Sequence, residues 1–361
     1  MNVIFHHPLP LDIRATSASG IRPLKMLEAF RSLGYSIDVI DGYSDQRLAS
    51  IKSIKAKIKS GIKYDFVYAE SSTPPTTLTD RHHLPLHPWL DAGFFYFCKK
   101  SNIPIGLFYR DIYWKFDAYG KGLSFWKVLG AKLAYYYDLI IYRSTLTKLY
   151  LPSLKMGEFV PVVPEEFFEA LPPGHSRPTL VGQPISQGPL KLFYVGGMSD
   201  HYRMHTLFAA LHELPQVQLI VCTRAAEWQA VRAQYEPLPA NVNIIHESGL
   251  VMEKYLEACD MASLFVEPQA YWEFASPVKL YEYIGFQKPI LASKGTLAGS
   301  VVASNGIGWS LPYTKESIID FFSNVQNNMD RLRQVHENLT LLAPHHTWRS
   351  RAEQVVEDLT Q

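Results

Sequence analysis

Cysteine is scarce: Cys98, Cys222 and Cys259 are the only three in 361 residues. Isolated and odd in number, they exclude a disulfide framework and a paired-cysteine metal site. No run of 18 or more uncharged apolar residues occurs, so no bilayer-spanning helix is predicted. The opening stretch MNVIFHHPLPLDIR lacks a basic start and has only a four-residue apolar run. It predicts a buried first strand, not a secretory signal, and the protein reads most simply as cytosolic. Charge of one sign is also missing, with 35 Lys and Arg against 34 Asp and Glu. That balance and the lack of any nucleic-acid motif argue against a nucleic-acid partner. What is present is apolar bulk. Hydrophobic residues make up 47% and charged residues 19%, enough core for two α/β domains of ordinary size and too little charge for disorder.

The near-zero net charge hides an asymmetry. Residues 1–180 hold 22 Lys and Arg against 16 Asp and Glu, and residues 181–361 hold 13 against 18. A basic half joined to an acidic half suggests that the first half faces something anionic.

The first half alternates strand and helix patterns. Strands are predicted at Val3–His6, Ser36–Ile40, Tyr64–Ala69, Pro104–Tyr109 and Leu139–Arg143, with helices at Ile21–Leu33, Gln46–Ser60, Trp89–Lys100 and Ser124–Tyr137. Residues 171–190, LPPGHSRPTLVGQPISQGPL, hold five prolines and three glycines and make the best boundary in the chain. The pattern then restarts, with strands predicted at Lys191–Val195, Val217–Cys222, Val242–His246, Ala262–Val266, Pro289–Ala292 and Trp309–Leu311, and a long helix from about Lys315. The fold class this implies is α/β: two Rossmann-like, doubly wound domains with a cleft between them. The first spans 1–170 and the second 191–343, with a linker at 171–190. A C-terminal helix at 344–361 is placed to pack back on the first domain. Ligands in such sheets bind beyond the carboxyl ends of strands, near helix N-termini.

The sharpest stretch is ASPVKLYEYIGFQKPILAS, residues 275–293. Pro277 starts a helix, Lys279 in its first turn offers a charge for a phosphate, and Glu282 on the same face suits vicinal ribose hydroxyls. The same residues also describe a surface Lys–Glu pair on an ordinary amphipathic helix. A second stretch, LFYVGGMSDHYRMH, ends a strand in Gly196-Gly197, where a backbone can approach a ligand or merely turn. In the first half, SASGIRP places Gly20 in a small-residue loop before a helix, with Arg22 set to touch an anion or a neighbouring carboxylate. FYRDIYW places Arg110 and Asp111 at a strand end, as an anion contact and a base or as a structural ion pair. His82, His83 and His87 share a loop with Asp80. Pro85 and Pro88 forbid the helix that would align a metal pair, so this loop suits acceptor binding or plain surface.

Pro277, Lys279, Leu280, Glu282, Tyr283, Lys288, Pro289 and Ile290 together resemble the donor-binding segment of GT-B glycosyltransferases, particularly those similar to glycosyltransferase family 4 of bacterial envelope and exopolysaccharide assembly. The resemblance implies two Rossmann domains facing across a cleft and transfer of a sugar from a nucleotide diphospho-sugar to a lipid-linked or oligosaccharide acceptor, with retained configuration. It implies that Glu282 holds the ribose, that Lys279 and Arg203 meet the diphosphate, and that the glycines at 20, 196 and 197 lie near the donor. A second Glu, eight positions before Glu282 in that clan, would fall on Phe274, with Glu273 beside it; the clan's His-Asp pair is Arg110-Asp111 here. No DxD-like triplet occurs, so no metal or other cofactor is expected. A non-catalytic nucleotide-sugar-binding protein and a sugar-nucleotide epimerase of the same shape are the alternatives.

Arg47, Lys52, Lys55, Lys57, Lys59 and Lys63 cluster without an acid among them, and four of these lysines, 52, 55, 59 and 63, fall at helical spacing. Further on, Trp126 and Tyr135–Tyr137 mingle with Lys127, Lys132, Arg143 and Lys148. Both segments suit an anionic membrane surface at the inner face of the cell membrane, while core packing explains the tyrosines equally well and a solvated outer helix explains the lysines.

Overall fold

The structure is a computed structural model, and it describes residues 1–14, 18–116, 119–177 and 188–361. The chain divides into two units, Met1–Pro173 with Trp348–Gln361, and Gly174–Thr347.

In the first unit the elements run β1 (Asn2–His6), α1 (Ala18–Ser32), β2 (Ser36–Ile40), α2 (Ser44–Lys59), β3 (Phe66–Glu70), α3 (Trp89–Lys100), β4 (Ile105–Phe108), α4 (Phe125–Thr145), β5 (Lys148–Leu151) and β6 (Phe168–Ala170). The strands form one parallel sheet in the order β2-β1-β3-β4-β5-β6. Val3, Ile4 and Phe5 are fully buried, as expected of a strand covered on both faces. Met26, Leu27 and Phe30 of α1 pack on this sheet, and Gly34, at φ +86°, ends the helix as only glycine does easily.

The second unit runs β7 (Leu190–Val195), α5 (His205–Leu211), β8 (Val217–Cys222), α6 (Ala225–Val231), β9 (Val242–Ile245), α7 (Gly249–Glu257), β10 (Met261–Leu264), α8 (Val278–Gly285), β11 (Ile290–Ser293), α9 (Leu297–Ser304), β12 (Gly308–Leu311), α10 (Lys315–Asn324) and α11 (Met329–Leu342). Its strands are again all parallel, in the order β12-β11-β10-β7-β8-β9. Both orders reverse direction at the first strand, β1 or β7, which puts a switch point in each sheet.

The chain then returns to the first unit as α12 (Trp348–Thr360). Trp348, Ala352, Val355 and Leu359 join the core with Phe5, Phe30, Tyr68 and Tyr150. Gln354 donates to the Ala170 carbonyl at 2.9 Å and Arg351 to the Pro173 carbonyl at 3.3 Å. Gly106 of β4 has no room for a side chain, because a Cβ there would lie 2.6 Å from the Tyr150 ring and 2.9 Å from Leu359.

Several boundaries differ from the sequence reading. Leu139–Arg143 is not a strand but the continuation of α4. Tyr135, Asp138, Leu139 and Tyr142 recur at helical spacing and are all buried, and that period outweighs the β-branched content. The long helix from Lys315 is two helices, α10 and α11, broken around Val325–Asn328, and the separate C-terminal helix expected at 344–361 begins at Trp348. The units part at Pro173, inside the 171–190 stretch, of which residues 178–187 lie outside the described residues. Residues 344–347 stay with the second unit, because His175 donates its backbone N–H to the His346 carbonyl at 2.9 Å and its ring Nε2 bonds the Ala343 carbonyl at 2.9 Å.

Candidate functional site

In the second unit the central feature is α8. Leu280, Tyr281, Tyr283, Ile284 and Gly285 are its buried residues. Its N-cap, Pro277, offers no side-chain hydrogen bond to the first turn, so the N-terminal amides keep their partial positive charge. On the outer side Lys279 Nζ donates to Glu282 Oε2 at 2.8 Å, each side chain about a third exposed (32% and 29%). The Tyr283 hydroxyl accepts from the Val195 backbone N–H at 3.1 Å. This bond ties α8 to the end of β7, just before Gly196-Gly197. The sequence reading did not single out Tyr283 as that tie.

The two glycines are explained by packing. A Cβ on Gly196 would lie 2.7 Å from the Tyr194 hydroxyl, which donates to the Gly197 carbonyl. A Cβ on Gly197 would meet Glu227 and Tyr202 at 3.0 and 3.2 Å. On the Cβ side their space is filled by the protein itself, so packing alone accounts for glycine at both positions. Arg203 is half-exposed and already paired with Asp200 at 3.0 Å and Glu267 at 3.7 Å. A diphosphate there would share the guanidinium with these acids. Glu273 ends a single 3-10 turn and is exposed, whereas Phe274 beside it is buried. Lys288, part of the same motif, is buried. Its ammonium donates to the Glu257 and Cys259 carbonyls at 2.7 and 2.6 Å, which closes the end of α7.

In the first unit, chemistry collects at the carboxyl ends of β1, β3 and β4. Glu70, the last residue of β3, is fully buried and has two guanidinium partners: Arg22 Nε at 3.3 Å and Arg110 Nη2 at 3.4 Å. The Tyr68 hydroxyl donates to the same carboxylate at 2.9 Å. The Arg22 guanidinium lies over the Phe108 ring, 3.5 Å from its centre, and 5.6 Å from the Trp348 ring. Arg22 thus faces the neighbouring carboxylate as an ion pair, while its buried Nε, Nη1 and Nη2 make no hydrogen bond among the described residues. Arg110 is held by Glu70 and by the Ser71 carbonyl, which accepts from its Nε at 3.2 Å. It is not an ion pair with Asp111. The Asp111 carboxylate accepts from the Tyr113 N–H at 2.9 Å, and burial raises its pKa from the usual range against hydrogen bonds from the Tyr113 and Ile112 amides and the charge of Arg110. His7, just beyond β1, is buried with Nδ1 against the Leu9 carbonyl at 2.8 Å; desolvation lowers it to about 4, so it is neutral at physiological pH.

Gly20 lies within the first turn of α1 and not in a loop, since the helix already begins at Ala18; Ser17 lies outside the described residues. His82, His83 and His87 are exposed and make separate local contacts. His82 Nδ1 accepts from the Leu84 N–H at 3.0 Å, and His83 Nδ1 bonds the Leu78 carbonyl at 2.9 Å. Among the described residues no three His, Cys, Asp or Glu side chains converge as metal ligands.

The basic cluster of 47–63 is also reduced. Arg47 is buried and doubly bonded to Asp91, each contact 3.0 Å. Lys57 pairs with Asp38 at 2.6 Å, Lys55 lies over the Phe97 ring at 5.2 Å, and Lys63 falls beyond the end of α2. Only Lys52 and Lys59 project freely from the helix.

Solved structures share this fold along nearly the whole chain, three of them as follows. Anabaena HepE, solved with UDP, superposes with a TM-score of 0.66 at 12% identity and full coverage of both chains. Sucrose-phosphate synthase from Thermosynechococcus elongatus gives 0.66 at 13%, covering 99% of this chain and 98% of its own. WaaG, a glycosyltransferase involved in lipopolysaccharide biosynthesis, gives 0.59 at 16% with 99% of each chain covered. No protein-family model matches the sequence, and no curated protein matches it. The fold is that of the GT-B glycosyltransferases, two parallel α/β domains in one chain.

Proposed function

We propose that this chain is a metal-independent glycosyltransferase. The second unit would bind a nucleotide diphospho-sugar and the first unit would receive a saccharide acceptor, lipid-linked and at the inner face of the cell membrane, with anomeric configuration retained. The observation that carries the reading is the α8 pair: a lysine and a glutamate held 2.8 Å apart at the start of a helix whose N-cap offers it no side chain. That arrangement supplies a cation and helix amides for a diphosphate and a carboxylate for ribose hydroxyls. The shared fold supports it, and HepE, solved with UDP and with UDP-glucose, makes uridine nucleotides the first donors to test. In the transfer, Lys279 and the α8 amides stabilise charge on the leaving diphosphate, and Asp111 takes the acceptor hydroxyl proton.

Isothermal titration with UDP tests the donor site. Glu282→Ala should weaken binding by about 1.5–3 kcal/mol, the worth of hydrogen bonds to a charged group. Lys279→Ala should weaken UDP while sparing uridine. Loss of an exposed i,i+3 pair costs under about 1 kcal/mol, so both variants should stay folded. Wild-type UDP affinity in both variants would reject the assignment. A second reading, nucleotide-sugar binding without catalysis, draws on Arg203 already being paired with acids and on Phe274 filling the core where a second Glu would stand. Donor binding without transfer or hydrolysis would favour it, and interconversion of the free nucleotide-sugar would point to an epimerase.

A further inference from the structure

Among the described residues, nine of the exposed large hydrophobic side chains fall in two segments of the first unit: Leu84, Leu86 and Trp89, and Leu123, Phe125, Trp126, Leu129, Leu133 and Ile140. The segments touch. The Trp89 ring meets Tyr137 edge-on at 6.3 Å, and the Tyr137 hydroxyl donates to the Pro88 carbonyl at 2.7 Å. Along α4, Trp126, Leu129, Leu133, Tyr137 and Ile140 follow spacings of three, four, four and three, so they form one stripe. The buried residues Tyr135, Asp138, Leu139 and Tyr142 lie on the opposite side. The helix is therefore apolar on two faces, and only one is covered by its own unit. Trp126 is 77% exposed and Phe125 69%.

The charges around the stripe are of one sign. Between residues 119 and 145 the cations are Lys121, Lys127, Lys132 and Arg143, and the only acid, Asp138, is buried. Lys132 and Arg143 share a row with Tyr136 along one flank of the stripe. Among the described residues none of these four cations pairs with a carboxylate. A second copy of the chain would bring these charges against themselves, which disfavours self-association through this face. Tryptophan, phenylalanine and leucine flanked by lysine suit the headgroup layer of a bilayer, where rings and methyl groups sink in and ammonium groups stay with phosphate. Among the described residues no helix is long and apolar enough to cross a membrane.

We infer that the amino-terminal half of α4, with the 84–89 loop, is the surface by which this protein lies on an anionic lipid bilayer. The place differs from the basic face of α2, where Arg47 and Lys57 are already paired with acids of the protein and, among the described residues, no stripe of exposed aromatic side chains accompanies the lysines. The inference builds on the proposed lipid-linked acceptor only for its purpose, because vesicle binding needs neither donor nor acceptor.

Flotation with vesicles of phosphatidylcholine alone, and with about one third phosphatidylglycerol, tests it at low and high salt. The protein should float with the anionic vesicles and release as salt rises. Trp126→Ser combined with Leu133→Ser, and separately Lys132→Glu, should each lower binding about tenfold or more, with circular dichroism and the urea midpoint unchanged because these side chains are exposed. Lys52→Glu with Lys59→Glu should change binding less than about twofold. Binding to neither vesicle, equal binding to both that ignores salt, or losses confined to the α2 variant would overturn the inference. So would a dimer on size exclusion that Trp126→Ser dissolves. Failure of vesicle binding would leave the UDP titration as it stands, and failure of UDP binding would leave this surface untouched.

Discussion

Glu70 is the carboxylate in contact with two largely buried guanidinium groups, so removing its charge differs sharply from removing one of theirs. Glu70→Gln keeps the Tyr68 hydrogen bond but leaves Arg22 and Arg110 uncompensated; it should cost about 3–5 kcal/mol in urea unfolding. Arg22→Met leaves one acid with one base and places an unbranched apolar chain between Phe108 and Trp348, so its cost should be about 1 kcal/mol or less. Equal costs would show that the cluster is not organised by charge. Asp138 gives a pH test. Burial raises it to about 7, well above its ordinary value of 3.8, despite the Thr76 N–H donated to it at 2.7 Å. Between those two values the folded chain holds a proton that the unfolded chain has released, so the residue's contribution to stability falls as pH rises through that window. Asp138→Asn does not titrate and keeps the acceptor. Its stability relative to the wild type should therefore climb from pH 4 to pH 7, by a few kcal/mol at most on the order of 1.4 per unit, and level off above. His7, lowered to about 4, contributes the opposite slope to both proteins and drops out of the difference.

Among elements, the turn between α8 and β11 is the clearest case of a motif residue with a purely structural duty. Lys288 holds two carbonyls at the end of α7 from within the core. Lys288→Met should lower the unfolding free energy by about 1–3 kcal/mol by orphaning them, while UDP titration should show unchanged affinity. Local pattern sufficed for much of this architecture. β2, β8 and α3 run over the residues where alternation and helical period place them, because each is one uninterrupted periodic segment between turn residues. It failed where two signals compete. Leu139–Arg143 looks β-branched in a short window and helical only over the full length of α4, and β6, three residues long, is too short to show a period. Lys279 and Glu282 were legible as a pair because they stand three apart on one helix. Glu70 was not legible. It is a single acid ending an apolar strand, and its importance comes from Arg22 and Arg110, which only the sheet order brings to it. The glycines at 196 and 197 show the converse: the sequence marks them, but tyrosine rings and a glutamate distant in sequence explain them.

At the scale of the molecule the two units are unequal in how they are written along the chain. The second is one continuous segment, Gly174–Thr347, whereas the first needs Trp348–Thr360 to cover the face of β1, β3 and α1 that carries Phe5, Phe30 and Tyr68. Residues 174–347 made alone should unfold cooperatively in urea, and residues 1–173 alone should not, since burying four α12 side chains is worth roughly 1.5–3 kcal/mol for each large one. Joining 348–361 to Pro173 by a short glycine–serine linker should restore cooperativity, because Arg351 already reaches the Pro173 carbonyl. A collapsed, cooperative 1–173 fragment would contradict this. The same helix sets an order of events on the ribosome. The half synthesised first stays open along one side of its sheet while the half synthesised second emerges and folds, so the earlier-made unit is the later one to be completed. During that interval its apolar face is the surface a nascent-chain chaperone would hold.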